Sequence, residues 1–254
     1  MSKQRVLNYW NRRTCGQLGK EGVCPCNGVG KKMIVHCLFE QSGTFKNAFK
    51  RVGIEARDYD ILNDFGETDV TIDLFDEIKK AYCGEDSLFD SFEDGDLVFA
   101  FFPCTRFEQQ IILSFKGQKR GYQNRSMQRK LEDVLRYHEE LSLYYKRITQ
   151  LAIVAYMRGL KLIIENPYNP QHYLTRYWPC EPKVIDMDRT KRGDYFCKPT
   201  QYWFINCEPK NHVLMDEAYT VQKVQKRITE THNTVERSMI APQYADRFIR
   251  EYIL

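Results

Sequence analysis

Three short apolar runs, each followed by polar or reactive side chains, constrain the fold of this chain more than any other feature. They are MIVHCLF (33–39), DLVFAFF (96–102) and LKLII (160–164). Nearly every position of each run is apolar, and β-branched or aromatic residues recur in them. This pattern predicts strands that are buried on both faces, as in a parallel sheet covered by helices.

Segments with helical character separate these runs along the chain. KNAFKRVG predicts a short helix closed by Gly53, and residues 129–158 repeat apolar side chains at helical spacing without Gly or Pro. IEARDY (54–59) and QYWFIN (201–206) predict further strands, and Pro242 begins an amphipathic C-terminal helix. The alternation predicts an α/β fold with a mostly parallel, doubly wound sheet of the Rossmann-like type.

The length and composition fit one soluble domain. Of the 254 residues, 1–32 are polar and Gly-rich and predict an N-terminal arm, and 33–254 then form the domain. No apolar run approaches the ~20 residues of a membrane-spanning helix, and the basic N-terminus lacks an apolar signal segment. Nine cysteines, an odd number, argue against a disulfide framework. We therefore expect a cytoplasmic protein with reduced thiols and no membrane partner.

The ends of the predicted strands carry the candidate functional groups. Glu40, Cys104 and Glu165 closely follow the three apolar runs. Because ligands bind beyond the carboxyl ends of the strands in doubly wound sheets, we expect these three side chains on one rim. Cys104 is either a packed thiol or, held at a strand end by Pro103, a nucleophile facing a pocket. Glu165 is either solvated or paired with a basic group.

Small and acidic residues near the first strand are compatible with a nucleotide-like ligand. Ser42 and Gly43 lie in the turn before a predicted helix, where a ligand could approach backbone N–H groups, although an ordinary turn explains them equally well. Asp58 or Asp60, about 20 positions on, could hold ribose hydroxyls, and Asp73 could meet an adenine amino group at the next strand end.

Four motifs, in this order, resemble those of cytosine-5 DNA methyltransferases. They are CLFEQSGTFKNAFKRVG, DLVFAFFPCTRFE, LIIENP and RSMIAPQYADRFI. The first resembles that family's cofactor loop, the second its Pro-Cys nucleophile motif, the third its Glu-Asn motif and the fourth its last motif. The resemblance implies a Rossmann-like S-adenosylmethionine-dependent methyltransferase fold and a role in DNA methylation such as restriction–modification.

The resemblance also implies a mechanism and a set of site residues. Cys104 would attack C6 of cytosine, Glu165 would hold or protonate N3, and C5 would take the methyl group of S-adenosylmethionine from a base that has left the stack. A carboxyl group with a raised pKa suits the role of Glu165. The implied cofactor contacts are Phe39, Glu40, Ser42, Gly43, Asp60, Asp73, Pro103 and Ser238.

A basic segment follows the nucleophile and is the candidate DNA contact. Its cations include Arg106, Lys116, Lys119, Arg120 and Arg125, interleaved with aromatic and amide side chains. In the family the segment after the nucleophile is a loop that closes over DNA, and this composition suits phosphate and base-edge contacts. The alternative is a solvated surface face, which describes most charge runs.

The sequence departs from the family pattern in several places. Gln41 and Thr44 stand near positions where the family has glycine, and Glu108 replaces the usual Ser after the Pro-Cys pair. The Gln-Arg-rich strand motif that orients the target base has only Gln201 as its nearest candidate. The region available for target recognition, about 206–236, is shorter than a typical domain. A partner chain could supply recognition, and a catalytically inactive nucleic-acid-binding protein on the same fold is the alternative function.

Other cysteine and histidine residues give no metal site. Cys15, Cys24 and Cys26 lack a clear fourth ligand for zinc and are interpreted as free thiols. His36 lies in a predicted strand and is interpreted as a core histidine. Cys37, Cys83 and Cys207 are expected to be small buried residues.

Overall fold

A seven-strand sheet forms the centre of the molecule. The structure is a computed structural model that describes residues 32–122, 124–212, 226–227 and 234–254. The strands are β1 (Val35–Leu38), β2 (Ala56–Asp60), β3 (Val70–Thr71), β4 (Leu97–Ala100), β5 (Lys161–Pro167), β6 (Val184–Asp186), β7 (Phe196–Cys197), β8 (Thr200–Ile205) and β9 (Lys226–Arg227). The sheet order is β3-β2-β1-β4-β5-β8-β6, and β7 pairs with β9 in a separate two-stranded ribbon.

The sheet is mostly parallel, as the alternation of strands and helices predicts. The first five strands in sheet order, from β3 to β5, pair in parallel, whereas β8 runs antiparallel to both β5 and β6. The chain moves outward from β1 to β3 on one side and from β4 to β5 on the other. The strand order therefore reverses between β1 and β4, which is where doubly wound sheets bind ligands.

Helices cover both faces of the sheet. They are α1 (Thr44–Arg51), α2 (Leu74–Cys83), α3 (Ile111–Phe115), α4 (Met127–Met157), α5 (Tyr173–Tyr177), α6 (Thr234–Ser238) and α7 (Pro242–Phe248), with a π-helical turn at Ile249–Ile253. One buried cluster contains Phe45 of α1 and Phe248 of α7, and a second contains Ile78 of α2 and Leu151 of α4. Each cluster packs on side chains from one face of the strands, so the core has two layers around the sheet.

The central strands are buried on both faces, which explains their continuous apolar runs. All four residues of β1 and of β4 are buried, and so are the five residues 162–166 of β5. The paired strands are shorter than two of the apolar runs, since β1 begins at Val35 and β4 ends at Ala100. The residues beyond β4 therefore leave the sheet before Cys104 and turn toward its edge.

The long helix α4 has the boundaries that its sequence predicts to within two residues. Its first turn is capped by the Ser126 side chain, which accepts a hydrogen bond from the Arg129 amide at 3.3 Å. Gly159 follows its C-terminus with a φ of +68°, and a side chain there would collide with Asp94. The chain can thus reverse tightly into β5, whose first residue is Lys161.

Several predictions about individual core residues can be compared with the structure. His36 is buried, stacks on Phe92 at 3.7 Å between ring centroids and lies 3.0 Å from the Tyr59 hydroxyl, so it is a core histidine. Cys37 is fully buried as expected, but Cys83 and Cys207 are only half-buried, which corrects the expectation for those two. The N-terminal arm, including Cys15, Cys24 and Cys26, lies outside the described residues.

The described helices include none that is both long and apolar enough to cross a membrane.

Candidate functional site

A cavity of about 920 Å³ opens at the carboxyl ends of the parallel strands, where the strand order reverses. Its size is within the range of small-molecule and cofactor sites. Glu40, Cys104 and Glu165 all line it, so the expected common rim is present. The predicted site residues in its wall are Phe39, Glu40, Ser42, Asp60, Asp73, Pro103, Cys104, Glu165 and Ser238.

The turn between β1 and α1 does not offer its backbone amides to a ligand in the expected way. The carboxylate of Glu40 accepts hydrogen bonds from the amides of Phe45, at 2.7 Å, and Lys46, at 3.2 Å. The Thr44 amide donates to the Ser42 hydroxyl at 3.4 Å. The first turn of α1 is therefore capped from within the chain, which corrects the expectation that a ligand would meet these N–H groups.

Glu40 and Gly43 serve the turn in different ways. Burial raises the pKa of Glu40 to about 7, although its two amide hydrogen bonds favour the charged form. Gly43 adopts a φ of +65°, and an added Cβ would come within 2.9 Å of Glu67 Oε2. Gly43 is not among the residues that line the cavity, although the neighbouring Ser42 is, so its contact with a cofactor stays a prediction.

The strand-end carboxylates are distributed between the core and the cavity. Asp58 is fully buried and lies 3.1 Å from Lys46 Nζ, so of the two candidates only Asp60 reaches the cavity. Asp60 accepts a hydrogen bond from the Leu62 amide through Oδ1, and burial raises its pKa. Asp73 also lines the cavity, but its Oδ1 caps α2 by accepting from the amide of Phe75 at 2.9 Å.

Aromatic rings form an apolar wall beside these carboxylates. Phe39 contacts Phe75 and Phe102 edge-on, with ring centroids 5.9 and 5.2 Å apart. The φ of Phe39 is +60°, a left-handed conformation that is uncommon for a bulky residue. This backbone turn ends β1 and brings the Phe39 side chain into the cavity wall, where a flat apolar ligand group could pack.

The ends of β4 and β5 hold Cys104 and Glu165 in one place. Asn166, which is fully buried, donates through Nδ2 to the carbonyl oxygen of Phe102 at 2.7 Å and to that of Glu165 at 2.7 Å. The bond to Phe102 ties the segment two residues before Cys104 to the strand that carries Glu165. The Asn of the Glu-Asn pair therefore has a positioning role that its sequence alone did not reveal.

Burial is the largest influence on the pKa of each of these two side chains. Burial, followed by the nearby Glu108 carboxylate, raises the pKa of the Cys104 thiol to about 12. Burial also raises the pKa of Glu165, against the opposing effects of Lys198 and Arg189. Within the described part of the chain, Glu165 Oε1 has no hydrogen-bond partner. A protonated carboxyl group at this position can donate a proton to a bound base, as the Glu165 prediction requires.

Two cations near Cys104 and Glu165 were missed by sequence reasoning. Lys198 and Arg189 both line the cavity, and both come from the connection between β6 and β8. Arg189 is 1% exposed, forms an ion pair with Asp194 and lies over the Tyr244 ring at 4.8 Å. No periodic pattern marks these residues, because they lie in short turns whose path depends on the antiparallel pairing of β8.

Gln201 does not belong to the cavity, although it was the nearest candidate for orienting a target base. It is fully buried, donates to the Pro167 carbonyl oxygen at 2.7 Å and lies 3.0 Å from the Thr175 hydroxyl. Both ends of its amide group are therefore used within the fold, and the cationic side chains of Lys198 and Arg189 line the cavity instead.

Two further cations lie in the part of the cavity wall formed by α2 and α4. Arg147 of α4 is 9% exposed and donates to Gln150 Oε1 at 2.8 Å, and Lys79 of α2 lies in the same wall. The helical periodicity of 129–158 places Arg147 beside buried positions but gives no reason to expect a cation facing a ligand site.

The basic segment after Cys104 is a folded unit that packs on α4. Ile111, Tyr122 and Tyr137 form a small buried cluster, and the two tyrosine hydroxyls are 2.8 Å apart. Arg106 forms an ion pair with Glu140, and Arg125 forms one with Asp133, so these two predicted DNA contacts are engaged within the chain.

The remaining three predicted DNA contacts are Lys116, Lys119 and Arg120. They are exposed and form no ion pair among the described residues. Lys119 Nζ lies 5.9 Å from the centre of the Tyr137 ring. These three side chains are therefore the members of the segment that are available to an external anionic partner.

Comparisons with known proteins do not assign the chain to a family. No protein-family model matches it, and no curated protein matches it either. Within the described ranges, no group of three or more His, Cys, Asp or Glu side chains could hold a metal ion.

Proposed function

We propose that this protein is an S-adenosylmethionine-dependent methyltransferase that modifies C5 of cytosine in DNA through a covalent Cys104 intermediate. The observation that carries the proposal is the meeting of Cys104 and Glu165 in the wall of one cavity at the strand-order reversal. The mostly parallel seven-strand sheet is compatible with the Rossmann-like methyltransferase fold. The ordered Pro-Cys and Glu-Asn motifs are the sequence features that favour this chemistry over other uses of the fold.

The cavity has groups that suit each part of the proposed cofactor. The Phe39 ring and its aromatic neighbours offer an apolar surface to a purine, and Asp60 can accept hydrogen bonds from ribose hydroxyls. Asp73 lies at the end of the wall near α2, and Ser238 of α6 joins the wall from the C-terminal part of the chain. When bound, S-adenosylmethionine supplies an electrophilic methyl group.

The chain's own residues supply the activation of the cytosine ring. Cys104 adds to C6, and Glu165 gives a proton to N3, so that the electron pair of the C5–C6 double bond becomes available at C5. The raised pKa of Glu165 favours the protonated carboxyl group that this step requires. Lys198 adds positive charge near both groups and Arg189 adds it near Glu165, which favours the negative charge that develops during the addition.

The base must leave the DNA stack to enter a cavity of this kind. Lys116, Lys119 and Arg120 provide exposed positive charge on the segment that follows Cys104. Phosphate contacts from these side chains would place the duplex over the cavity opening without reading sequence. The target sequence would then be read elsewhere in the chain or by a partner chain.

The capped turn favours one alternative function, a catalytically inactive nucleic-acid-binding protein. Glu40 occupies amides at the N-terminus of α1, and Gln41 stands where the resembled family has glycine. Either feature could lower cofactor affinity. A catalyst must bind S-adenosylmethionine, whereas a binding module built on the same fold need not.

Calorimetric titration with S-adenosylmethionine distinguishes the two functions. We expect binding with a micromolar dissociation constant, roughly −8 kcal/mol. Asp60→Asn, which weakens acceptance of ribose hydroxyl hydrogen bonds, should raise the dissociation constant, and Asp64→Asn, on the exposed loop beyond β2, should leave it unchanged. Absence of heat and of a thermal shift at millimolar cofactor would favour the binding module.

A further inference from the structure

The Glu108 carboxylate directly contacts the proposed nucleophile. Cys104 Sγ lies 3.6 Å from Glu108 Oε1, in hydrogen-bond geometry for a thiol donor. Glu108 is half-buried and is four residues beyond Cys104, at the position where the resembled family has Ser. A carboxylate beside a nucleophilic sulfur changes the chemistry available to that sulfur.

A buried anchor fixes the segment that carries both groups. Phe107 is fully buried, and its amide donates to the Cys104 carbonyl oxygen at 2.8 Å. The Tyr173 amide of α5 in turn donates to the Phe107 carbonyl oxygen at 2.8 Å. The turn between Cys104 and Glu108 is therefore held from both sides, and the thiol–carboxylate contact follows from the backbone geometry.

The neutral thiol needs a proton acceptor before it can attack. The ionisable groups that act on it are Glu108, Glu165 and Lys198, and burial is the largest effect. With a thiol pKa of about 12, the free thiolate makes up only about 10⁻⁵ of the protein at pH 7. Since the thiolate is the reactive form, direct ionisation would supply very little nucleophile.

We infer that Glu108 is the general base that accepts the Cys104 proton as sulfur attacks the cytosine ring. This inference rests on the proposed function. The proton moves from Sγ to the Glu108 carboxylate, and the sulfur electron pair forms the bond to C6. The π electron pair of C5–C6 shifts into the ring toward N3, which takes a proton from Glu165.

The step conserves protons and charge. Glu108 becomes neutral as Glu165 becomes a carboxylate, so the site holds one negative carboxylate before and after the addition. Free thiolate formation would instead place two negative charges within 3.6 Å of each other. At the end of the cycle the C5 proton leaves to water, and its C–H electron pair re-forms the C5–C6 double bond as the bond between sulfur and C6 breaks. Glu108 then returns its proton to sulfur, and N3 returns its proton to Glu165.

The variant Glu108→Gln distinguishes a general base from a group that acts only through its charge. Loss of the charge should speed alkylation of Cys104, whereas loss of the base should slow methyl transfer. Removing the negative charge lowers the thiol pKa, so alkylation of Cys104 by iodoacetamide at pH 8 should become about 10-fold faster or more. Removing the base should slow single-turnover methyl transfer at pH 7 by roughly 10²- to 10⁴-fold. The difference in methyl-transfer rate between wild type and Glu108→Gln should decrease as pH rises, because hydroxide then generates thiolate without Glu108.

The experiment follows the Cys104 peptide by mass spectrometry and methyl transfer by radiolabel in the full-length chain. Glu139→Gln, a change of one exposed carboxylate on α4, is the matched control and should alter neither rate. Glu108→Asp, which keeps the charge but shortens the reach, should methylate more slowly than wild type without the increase in alkylation. Thermal unfolding checks that each variant folds.

The outcomes separate failure of this inference from failure of the proposed function. Methyl transfer by Glu108→Gln at or above the wild-type rate at pH 7 would overturn the base role while leaving the function intact. A wild-type protein that transfers no methyl group at any pH would overturn the function, and this step with it. In that case the alkylation rates still report whether the thiol and carboxylate are in contact.

Discussion

Cys104 lies in a different environment from Cys37, the fully buried cysteine of β1. It is half-buried at the edge of a cavity, its thiol contacts a carboxylate, and it follows the strand end after Pro103. Cys37 is fully buried within β1, and its thiol hydrogen-bonds the Glu40 carboxylate. The two thiols therefore both have a carboxylate neighbour, and they differ in that Cys104 lines the cavity whereas Cys37 does not.

Replacement of Cys104 by Ser should therefore abolish turnover with little loss of stability. The serine hydroxyl can donate to Glu108 as the thiol does, so the free energy of unfolding should change by no more than about 1 kcal/mol. An alcohol is a far weaker nucleophile than a thiolate, so methyl transfer should be lost. Chemical unfolding and a radiolabel assay measure the two effects, and a loss of several kcal/mol would instead indicate a packing role.

His172 should make stability fall under mildly acidic conditions. It is 1% exposed, neither ring nitrogen has a hydrogen-bond partner in the described part of the chain, and burial lowers its pKa to about 4. Between pH ~6.5 and 4 the unfolded chain binds this proton and the folded chain does not. The contribution of neutral His172 to the free energy of unfolding is thus complete above pH ~6.5. It decreases by up to about 3 kcal/mol as pH falls.

The variant His172→Leu isolates that contribution. Glu40 has the opposite effect on stability. Because burial raises its pKa to about 7, the folded state becomes less stable relative to the unfolded state as pH rises from about 4.5. Only the difference between wild type and variant therefore reports on His172. Urea unfolding from pH 4.5 to 7.5 should show a wild-type-minus-variant difference in the free energy of unfolding that increases as pH rises to about 6.5. Parallel curves would contradict this expectation.

At the scale of elements, the ends of β4 and β5 act as a pair. Asn166 joins them by donating to carbonyl oxygens of both, and it is fully buried. The two reactive groups are thus positioned by strands of the sheet, which are more rigid than loops.

Asn166→Asp should disturb this pairing without changing side-chain volume. A carboxylate cannot donate to the Phe102 and Glu165 carbonyl oxygens, and it would bring negative charge into a buried position. We expect a loss of about 2–4 kcal/mol in the free energy of unfolding. Methyl transfer should fall more steeply than cofactor affinity, because Asn166 is not part of the cavity wall. An equal loss of methyl transfer and of cofactor affinity would mean that the whole cavity had collapsed.

The segment after Cys104 should contribute to DNA affinity through only some of its cations. Changing Lys116, Lys119 and Arg120 together to Ala should reduce the slope of log affinity against log salt by about 0.9 for each lost phosphate contact. Arg129→Ala is the matched control, because Arg129 is exposed on α4 but pairs with Glu132. Fluorescence anisotropy with a duplex across a salt series measures the slopes, and an unchanged slope would mean that the three cations only face solvent.

For the whole molecule, the sequence predicts the sheet class and several residues of the cavity wall, but not how the wall is organised. Buried strands such as β4 and β5 leave continuous apolar runs; Cys104 follows β4, and Glu165 lies near the end of β5. The antiparallel direction of β8 leaves no such pattern, because a strand's residues do not record its direction. Lys198 and Arg189 were missed for the same reason, since their position depends on the connections around β8.

The capping of α1 by Glu40 could not be predicted either. The sequence places a carboxylate near the small-residue turn, but its two amide hydrogen bonds depend on the left-handed backbone at Phe39 and Gly43. The fold class therefore followed from periodicity, whereas the finer features of the site depended on tertiary geometry.

The proposed covalent bond between Cys104 and cytosine can be trapped during methyl transfer. DNA that carries 5-fluorocytosine cannot lose a proton from C5 after methylation, so the enzyme remains attached. With S-adenosylmethionine present, wild type and the control Cys83→Ser should form a denaturant-resistant adduct on a gel, and Cys104→Ser should form none. A wild-type protein that binds the cofactor and methylates cytosine in DNA but never forms this adduct would contradict the account.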